Sequence, residues 1–187
     1  SGSSWTGGGS YFRMAFRSSG NVFTVDSNAQ LITSATYVNM GGNSGSFTSQ
    51  SNSLIVTNGG RFVIAGAATP AIGSFSSNNT LVVTGTNSQF TMAGSYNLVV
   101  GDAGDNNILR VANGGVFSNS SVTGVIITHT TDGNAANNSV VVTNGGKMYT
   151  KDVVYVGYVG VAIVIQSNKM VVTGPDSLFN CGVGLRV

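Results

Sequence analysis

The sequence predicts an all-β chain wound as a parallel β-helix, a solenoid of about six three-stranded coils. First, an Asn-led strand motif, written most fully as Asn138-Ser-Val-Val-Val-Thr-Asn-Gly-Gly146, recurs from near Asn21, Asn52, Asn79, Asn107, Asn138 and Asn168. Second, the equivalent residues Leu54, Leu81, Leu109, Val140 and Met170 follow one another at spacings of 27, 28, 31 and 30, the period of a solenoid. Third, apolar residues alternate within each copy (Phe23/Val25, Leu54/Val56, Leu81/Val83, Leu109/Val111, Val140/Val142, Met170/Val172), which is strand periodicity, and no helical period competes with it. Six similar copies at one spacing give no reason for antiparallel pairing, so parallel stacking is the economical solution.

Taken in order, residues 1–20 read as an N-terminal lead and a partial coil. Ser1–Ser10 is Gly/Ser-rich and flexible in character, with Trp5 as its one aromatic anchor. Tyr11–Arg17 alternates and is expected as a strand with Phe12, Met14 and Phe16 on one side. Residues 21–187 are the repeats. Each coil opens with the Asn-led strand, which ends at a corner such as Asn58-Gly-Gly60, Asn113-Gly-Gly115 or Asn144-Gly-Gly146, where positive φ costs little. A second strand follows, marked by an inward Leu31, Phe62, Phe90, Phe117, Met148 or Phe179. A third is marked by Tyr37-Val38, Ala71-Ile72, Leu98–Val100, Val125–Ile127, Val154–Val156 and Leu185–Val187. Loops of variable length, among them Gly41–Ser51 and Thr128–Asn137, return the chain to the next Asn. Stacking at about 4.8 Å then lines like residues up in ladders, with Asn52, Asn79, Asn107, Asn138 and Asn168 at one corner and the phenylalanines inside.

The 187 residues include 27 Gly, 8 basic side chains and 6 acidic ones, all of them Asp. Ser, Thr and Asn carry the surface instead of ions. A net charge of +2 spread over scattered Arg and Lys gives no nucleic-acid surface. Cys181 is alone, so there is no internal disulfide framework. No apolar run approaches the roughly 18 residues that a membrane-spanning helix needs. Without an initiator Met or a signal-peptide pattern, the chain reads as a processed or excised piece.

Units such as Leu98-Val-Val-Gly-Asp-Ala-Gly-Asp-Asn-Asn-Ile-Leu-Arg-Val-Ala-Asn-Gly-Gly-Val116 resemble the repeats of bacterial autotransporter passengers and PEP-CTERM-associated surface proteins. The resemblance runs from about Asn21 to Val187 through a loose, Gly/Asn-biased motif. It implies a right-handed β-helix, export to the cell surface or beyond, and a structural or adhesive role. It implies no particular ligand.

Candidate chemistry is sparse. His129, the sole histidine, falls in Thr128-His-Thr-Thr-Asp132 and reads as an exposed loop residue; no Gly-x-Ser-x-Gly elbow accompanies it. Among the acids only Asp102 and Asp105 lie close together, in a loop lacking the EF-hand and β-roll calcium patterns, so turn chemistry explains them and a weak calcium site is the alternative. Catalytic residues, resident metal and cofactor are therefore all expected to be absent. Asn78, Asn119 and Asn137 head glycosylation-type triplets that a chain this rich in Asn, Ser and Thr produces by chance.

Two surfaces stand out instead. The outward positions of the Asn-led strand form one column of Thr24, Ile55, Val82, Arg110, Val141 and Val171, and a second of Asp26, Thr57, Thr84, Ala112, Thr143 and Thr173. Ordinary β-propensity, a lateral protein contact and ice binding all fit this half-polar face. At the ends, Trp5, Tyr11, Phe12 and Phe16, with Leu185 and Val187, form an apolar set that head-to-tail self-assembly would bury. The expected function is a non-enzymatic extracellular structural or adhesive β-helix that self-assembles along its axis. The alternatives are an adhesin fragment binding glycans or ice, and a polysaccharide-processing enzyme.

Overall fold

The computed structural model describes residues 2–42, 49–66, 69–94, 96–120, 124–130, 135–159 and 165–187. A partial coil comes first, with β1 (Ser4–Gly7) and β2 (Tyr11–Met14). Six coils follow. The first has β3 (Val22–Val25), β4 (Gln30–Thr33) and β5 (Tyr37–Gly41); the second has β6 (Ser53–Val56), β7 (Arg61–Ile64) and β8 (Thr69–Ser74). The third has β9 (Thr80–Thr84), β10 (Gln89–Met92) and β11 (Leu98–Asp102); the fourth has β12 (Ile108–Ala112), β13 (Val116–Asn119) and β14 (Val125–Thr130). After β15 (Ala135–Ala136), the fifth has β16 (Ser139–Thr143), β17 (Lys147–Thr150) and β18 (Val154–Val159). After β19 (Ile165–Gln166), the sixth has β20 (Lys169–Thr173), β21 (Leu178–Cys181) and β22 (Leu185–Arg186).

Every pairing is parallel and joins a strand to its equivalent one coil away. The Asn-led strands form a six-stranded sheet, here sheet 1, in the order β3-β6-β9-β12-β16-β20. Sheet 2 (β1-β4-β7-β10-β13-β17-β21) and sheet 3 (β2-β5-β8-β11-β14-β18-β22) have seven strands each, and β15 pairs with β19 apart from them. The parallel β-helix is thus the fold of this chain.

Alternation explains the core. In sheet 1 the columns Leu54–Leu81–Leu109–Val140 and Val56–Val83–Val111–Val142 are buried, and a one-residue slip would turn all of them outward. Sheet 2 supplies Leu31, Phe62, Phe90, Phe117 and Met148 in one register row. The rings of Phe62 and Phe90 stack at 5.0 Å, and those of Phe90 and Phe117 at 5.7 Å. Such ring pairs add about 0.5–1.5 kcal/mol each beyond area burial.

The corners follow from backbone geometry. Asn58, Asn113 and Asn144 have φ of 47°, 51° and 48°, and the glycine after each also lies in the left-handed region. Asn tolerates that region better than other non-glycine residues, which accounts for the Asn-Gly order. The second glycine is needed for close approach: a Cβ on Gly60 would stand 2.1 Å from the Val25 carbonyl oxygen.

Three expectations need correction. Ser4–Gly7 is a strand, with Trp5 in register beside Leu31, because coil 1 offers β1 an open edge on which to pair. Tyr11–Arg17 is a strand only as far as Met14; Ala15 takes a φ of 63°, which ends the alternation before Phe16. The Thr128–Asn137 segment is no simple loop, since β14 extends through Thr130 and Ala135–Ala136 pairs with Ile165–Gln166. Asp132 lies outside the described residues.

Candidate functional site

The Asn corner is a continuous hydrogen-bonded spine. Asn52 Oδ1 accepts the Asn21 backbone N–H at 3.0 Å and its Nδ2 at 2.9 Å. Asn79, Asn107 and Asn138 each receive the same two bonds from the Asn before them. Asn52, Asn79, Asn107 and Asn138 are completely buried, and the paired bonds are what make that tolerable.

At Asn168 the pattern changes. The Asn138 backbone N–H still donates to Asn168 Oδ1 at 2.9 Å, but Asn138 Nδ2 turns to Thr128 Oγ1 at 3.0 Å. That hydroxyl donates onward to Asn168 Oδ1 at 2.6 Å, so a threonine splices the spine. Thr128 stands at φ 70° where Gly73, Gly101 and Gly157 stand in their own coils. A Cβ on Gly101 would lie 2.3 Å from Asn138 Cγ, so glycine there makes room for the amide and Thr128 fills the room instead.

Just past that position runs a polar row that sequence reasoning missed. Asp102 pairs in register with Ser74 on one side and His129 on the other, and His129 pairs with Tyr158. His129 Nδ1 lies 3.2 Å from Asp102 Oδ1, Ser74 Oγ donates to Asp102 Oδ2 at 3.4 Å, and the His129 and Tyr158 rings stack at 5.9 Å. His129 is therefore a half-buried strand residue rather than an exposed loop residue. The available signal was the repeat spacing, since Ser74, Asp102, His129 and Tyr158 each follow the left-handed residue of their coil. The carboxylate occupies the middle of the row, so Ser74 has no imidazole to take its proton. Asp105 is engaged elsewhere, accepting the Ala136 N–H at 2.7 Å. Among the described residues no three His, Cys, Asp or Glu side chains gather where they could hold a metal ion.

The hydrogen bond to Asp102 raises the His129 pKa above its ordinary value, partial burial opposes this, and the carboxylate charge adds to the rise. The stability contributed by the charged pair is accordingly complete below the unfolded value of about 6.5 and is lost as pH rises through the higher folded one. Asp102→Asn should lower the His129 pKa in an NMR titration. It should also cost more stability at pH 5.5 than at pH 8.5 in urea unfolding.

The predicted lateral face is in register. Thr24, Ile55, Val82, Arg110, Val141 and Val171 form one row, in which the aliphatic members are half-buried and Thr24 and Arg110 exposed. The second column is less open than expected. Thr57 and Thr84 are half-buried and Thr173 is exposed, but Ala112 and Thr143 are buried. The row borders the Asn-Gly-Gly corner, whose amides engage it: Asn113 Nδ2 donates to Thr84 Oγ1, and Thr143 Oγ1 donates to Asn144 Oδ1. Asn119, a nominal glycosylation position, is buried and donates to the Gly124 carbonyl.

The end residues separate into two groups. At the N-terminal end Trp5 is exposed, Phe12 packs against the core, and the Arg13 guanidinium lies over the Tyr11 and Phe16 rings. At the C-terminal end Leu185 and Val187 are exposed, Leu185 in register beside the buried Val154. Comparison with protein-family models, curated proteins and solved structures gives no match to this chain.

Proposed function

We propose that this chain is a non-enzymatic structural β-helix that lengthens by head-to-tail stacking, displayed outside the cell as a surface filament or adhesive element. The observation that carries the proposal is the state of the two ends. β1, β2 and β3 at one end, and β20, β21 and β22 at the other, each have a strand neighbour on one side only among the described residues. Inward columns that are sealed in the middle coils surface there, at Trp5 and Phe23 on one end and Val172 and Leu185 on the other. Unpaired edges and open apolar columns favour addition of another β-helix, and a heterologous contact of this kind yields an open filament.

The last coil has a strand in all three sheets, whereas the described residues ahead of β3 give strands in sheets 2 and 3 only. Stacking would set β21 and β22 of one copy against β1 and β2 of the next, leaving a gap in sheet 1. Extracellular display rests on the resemblance of the repeats to surface proteins and on a surface of Ser, Thr and Asn. Sedimentation velocity and electron microscopy over a concentration series test the stacking. Rods one solenoid wide are expected, and Trp5→Lys with Leu185→Lys should keep the protein monomeric. A wild-type chain that stays monomeric at the highest concentration overturns the proposal.

A further inference from the structure

Asn-Gly occurs three times, at Asn58, Asn113 and Asn144, each time as Asn-Gly-Gly at the corner between the sheet 1 and sheet 2 strands of a coil. All three asparagines are exposed and left-handed, so their own conformations are alike. What differs is the coil that follows. Coils 3 and 6 turn this corner through one residue more, as Gly85-Thr86-Asn87-Ser88 and Gly174-Pro175-Asp176-Ser177, and each ends in a serine. Ser88 Oγ accepts the Gly59 N–H at 3.1 Å, and Ser177 Oγ accepts the Gly145 N–H at 3.3 Å.

Gly114 has no such partner. In coil 5 the place of the serine is taken by Gly146, and a Cβ there would stand 2.2 Å from the Val111 carbonyl oxygen. That corner therefore carries no hydroxyl, and no hydrogen bond from the Gly114 N–H is present among the described residues. Access differs as well, since Gly59 is buried whereas Gly114 and Gly145 are half-buried. Of the three corner amides, Gly114 alone combines access to solvent with the lack of an acceptor among the described residues.

We propose that Asn113 is a site of covalent self-modification, converted to aspartyl and isoaspartyl residues through a cyclic imide, while Asn58 and Asn144 are protected. The Gly114 nitrogen gives its proton to water or hydroxide and attacks Asn113 Cγ. The new N–Cγ bond forms, the Cγ–Nδ2 bond breaks, and the amide nitrogen takes up a proton and leaves as ammonia. Water then opens the imide at either carbonyl, with no change of oxidation state. Glycine permits the ring to close because it has no Cβ to crowd it. A hydrogen bond from the attacking N–H must be given up before the nitrogen reacts, so the serine bonds raise the barrier at Asn58 and Asn144. The product adds one negative charge to a chain of net charge +2. Isoaspartate also lengthens the main chain inside a turn that the Gly115 N–H closes on the Ala112 carbonyl at 2.9 Å. The corner lies on the side of the solenoid, so the reaction is independent of stacking at the ends.

The test incubates the native wild-type protein at mildly alkaline pH in water enriched in heavy oxygen and follows each site by peptide mapping and mass spectrometry. Asn113 should be modified about five-fold faster than Asn58, the weight of one hydrogen bond in the barrier, with Asn144 between them. The same protein unfolded in urea is the control, because there the three Asn-Gly-Gly sites should react at closely similar rates. Ser88→Ala removes the acceptor of the Gly59 N–H and should raise the Asn58 rate toward that of Asn113, which keeps its own. A variant that fails to fold shows itself by all three rates moving together to the urea values, and the wild-type rates then decide. Native Asn58 or Asn144 reacting as fast as Asn113 overturns the proposal, as does an inert Asn113 where the urea-unfolded sites react. An unchanged Asn58 rate in folded Ser88→Ala overturns it too.

Discussion

Val142→Asp should unfold or nearly unfold this protein, with a loss of about 4 kcal/mol or more, at the far tail of single-substitution effects. Val142 is fully buried, between Val111 and Val172 in its register row. A carboxylate there enters a column of aliphatic side chains with no cation to pair with. Protonating it removes the charge but still leaves a polar group in place of a methyl pair, so the cost persists at low pH. The comparison that isolates the cause is Val141→Asp, one residue away and on the outward row. It should shift the urea midpoint by only about 0.5 kcal/mol, as surface changes do. A fold with another register would reverse the two results.

The second large effect is expected at the spine. Asn107→Ala removes an oxygen that accepts from the Asn79 N–H and Nδ2, both at 3.0 Å, and an amide that donates to Ser76 O and Asn138 Oδ1. The site is completely buried, so water cannot replace those partners. An orphaned buried group costs about 1–3 kcal/mol, and with more than one orphan the loss should be near 3 kcal/mol. Asn21→Ala, at the half-exposed end of the same spine, should cost about 1 kcal/mol or less because solvent can reach the groups it leaves. Equilibrium urea unfolding of the two variants measures the difference.

The sheet 1 columns were legible because strand alternation and the repeat period agree from Phe23 to Val172, and parallel stacking makes each copy predict the next. The phenylalanine row was legible for the same reason. Trp5 was harder to place, since Ser-Trp-Thr-Gly has one apolar residue among small ones, and only its register beside Leu31 makes it a strand. The row of Ser74, Asp102, His129 and Tyr158 was hidden by the left-handed residue just before each member. Such a residue breaks the two-residue alternation, so inward and outward no longer follow from counting. Thr128 compounded this, because a β-branched residue at positive φ is rare and nothing local announces it. Thr143 is engaged by the adjacent Asn144 amide, whose Oδ1 accepts from the Thr143 hydroxyl, and strand periodicity does not describe such a local contact.

Parallel stacking in register is tested most directly by NMR couplings transmitted through backbone hydrogen bonds. The Thr80 N–H donates to the Asn52 carbonyl, Ile108 to Asn79, and Ser139 to Asn107, each at 2.9 Å. Couplings from those three amide nitrogens to those three carbonyl carbons, one coil apart each time, are the expected result. Couplings from the same nitrogens to partners a few residues away across a hairpin, or shifted by one residue along the neighbouring strand, would contradict the parallel β-helix.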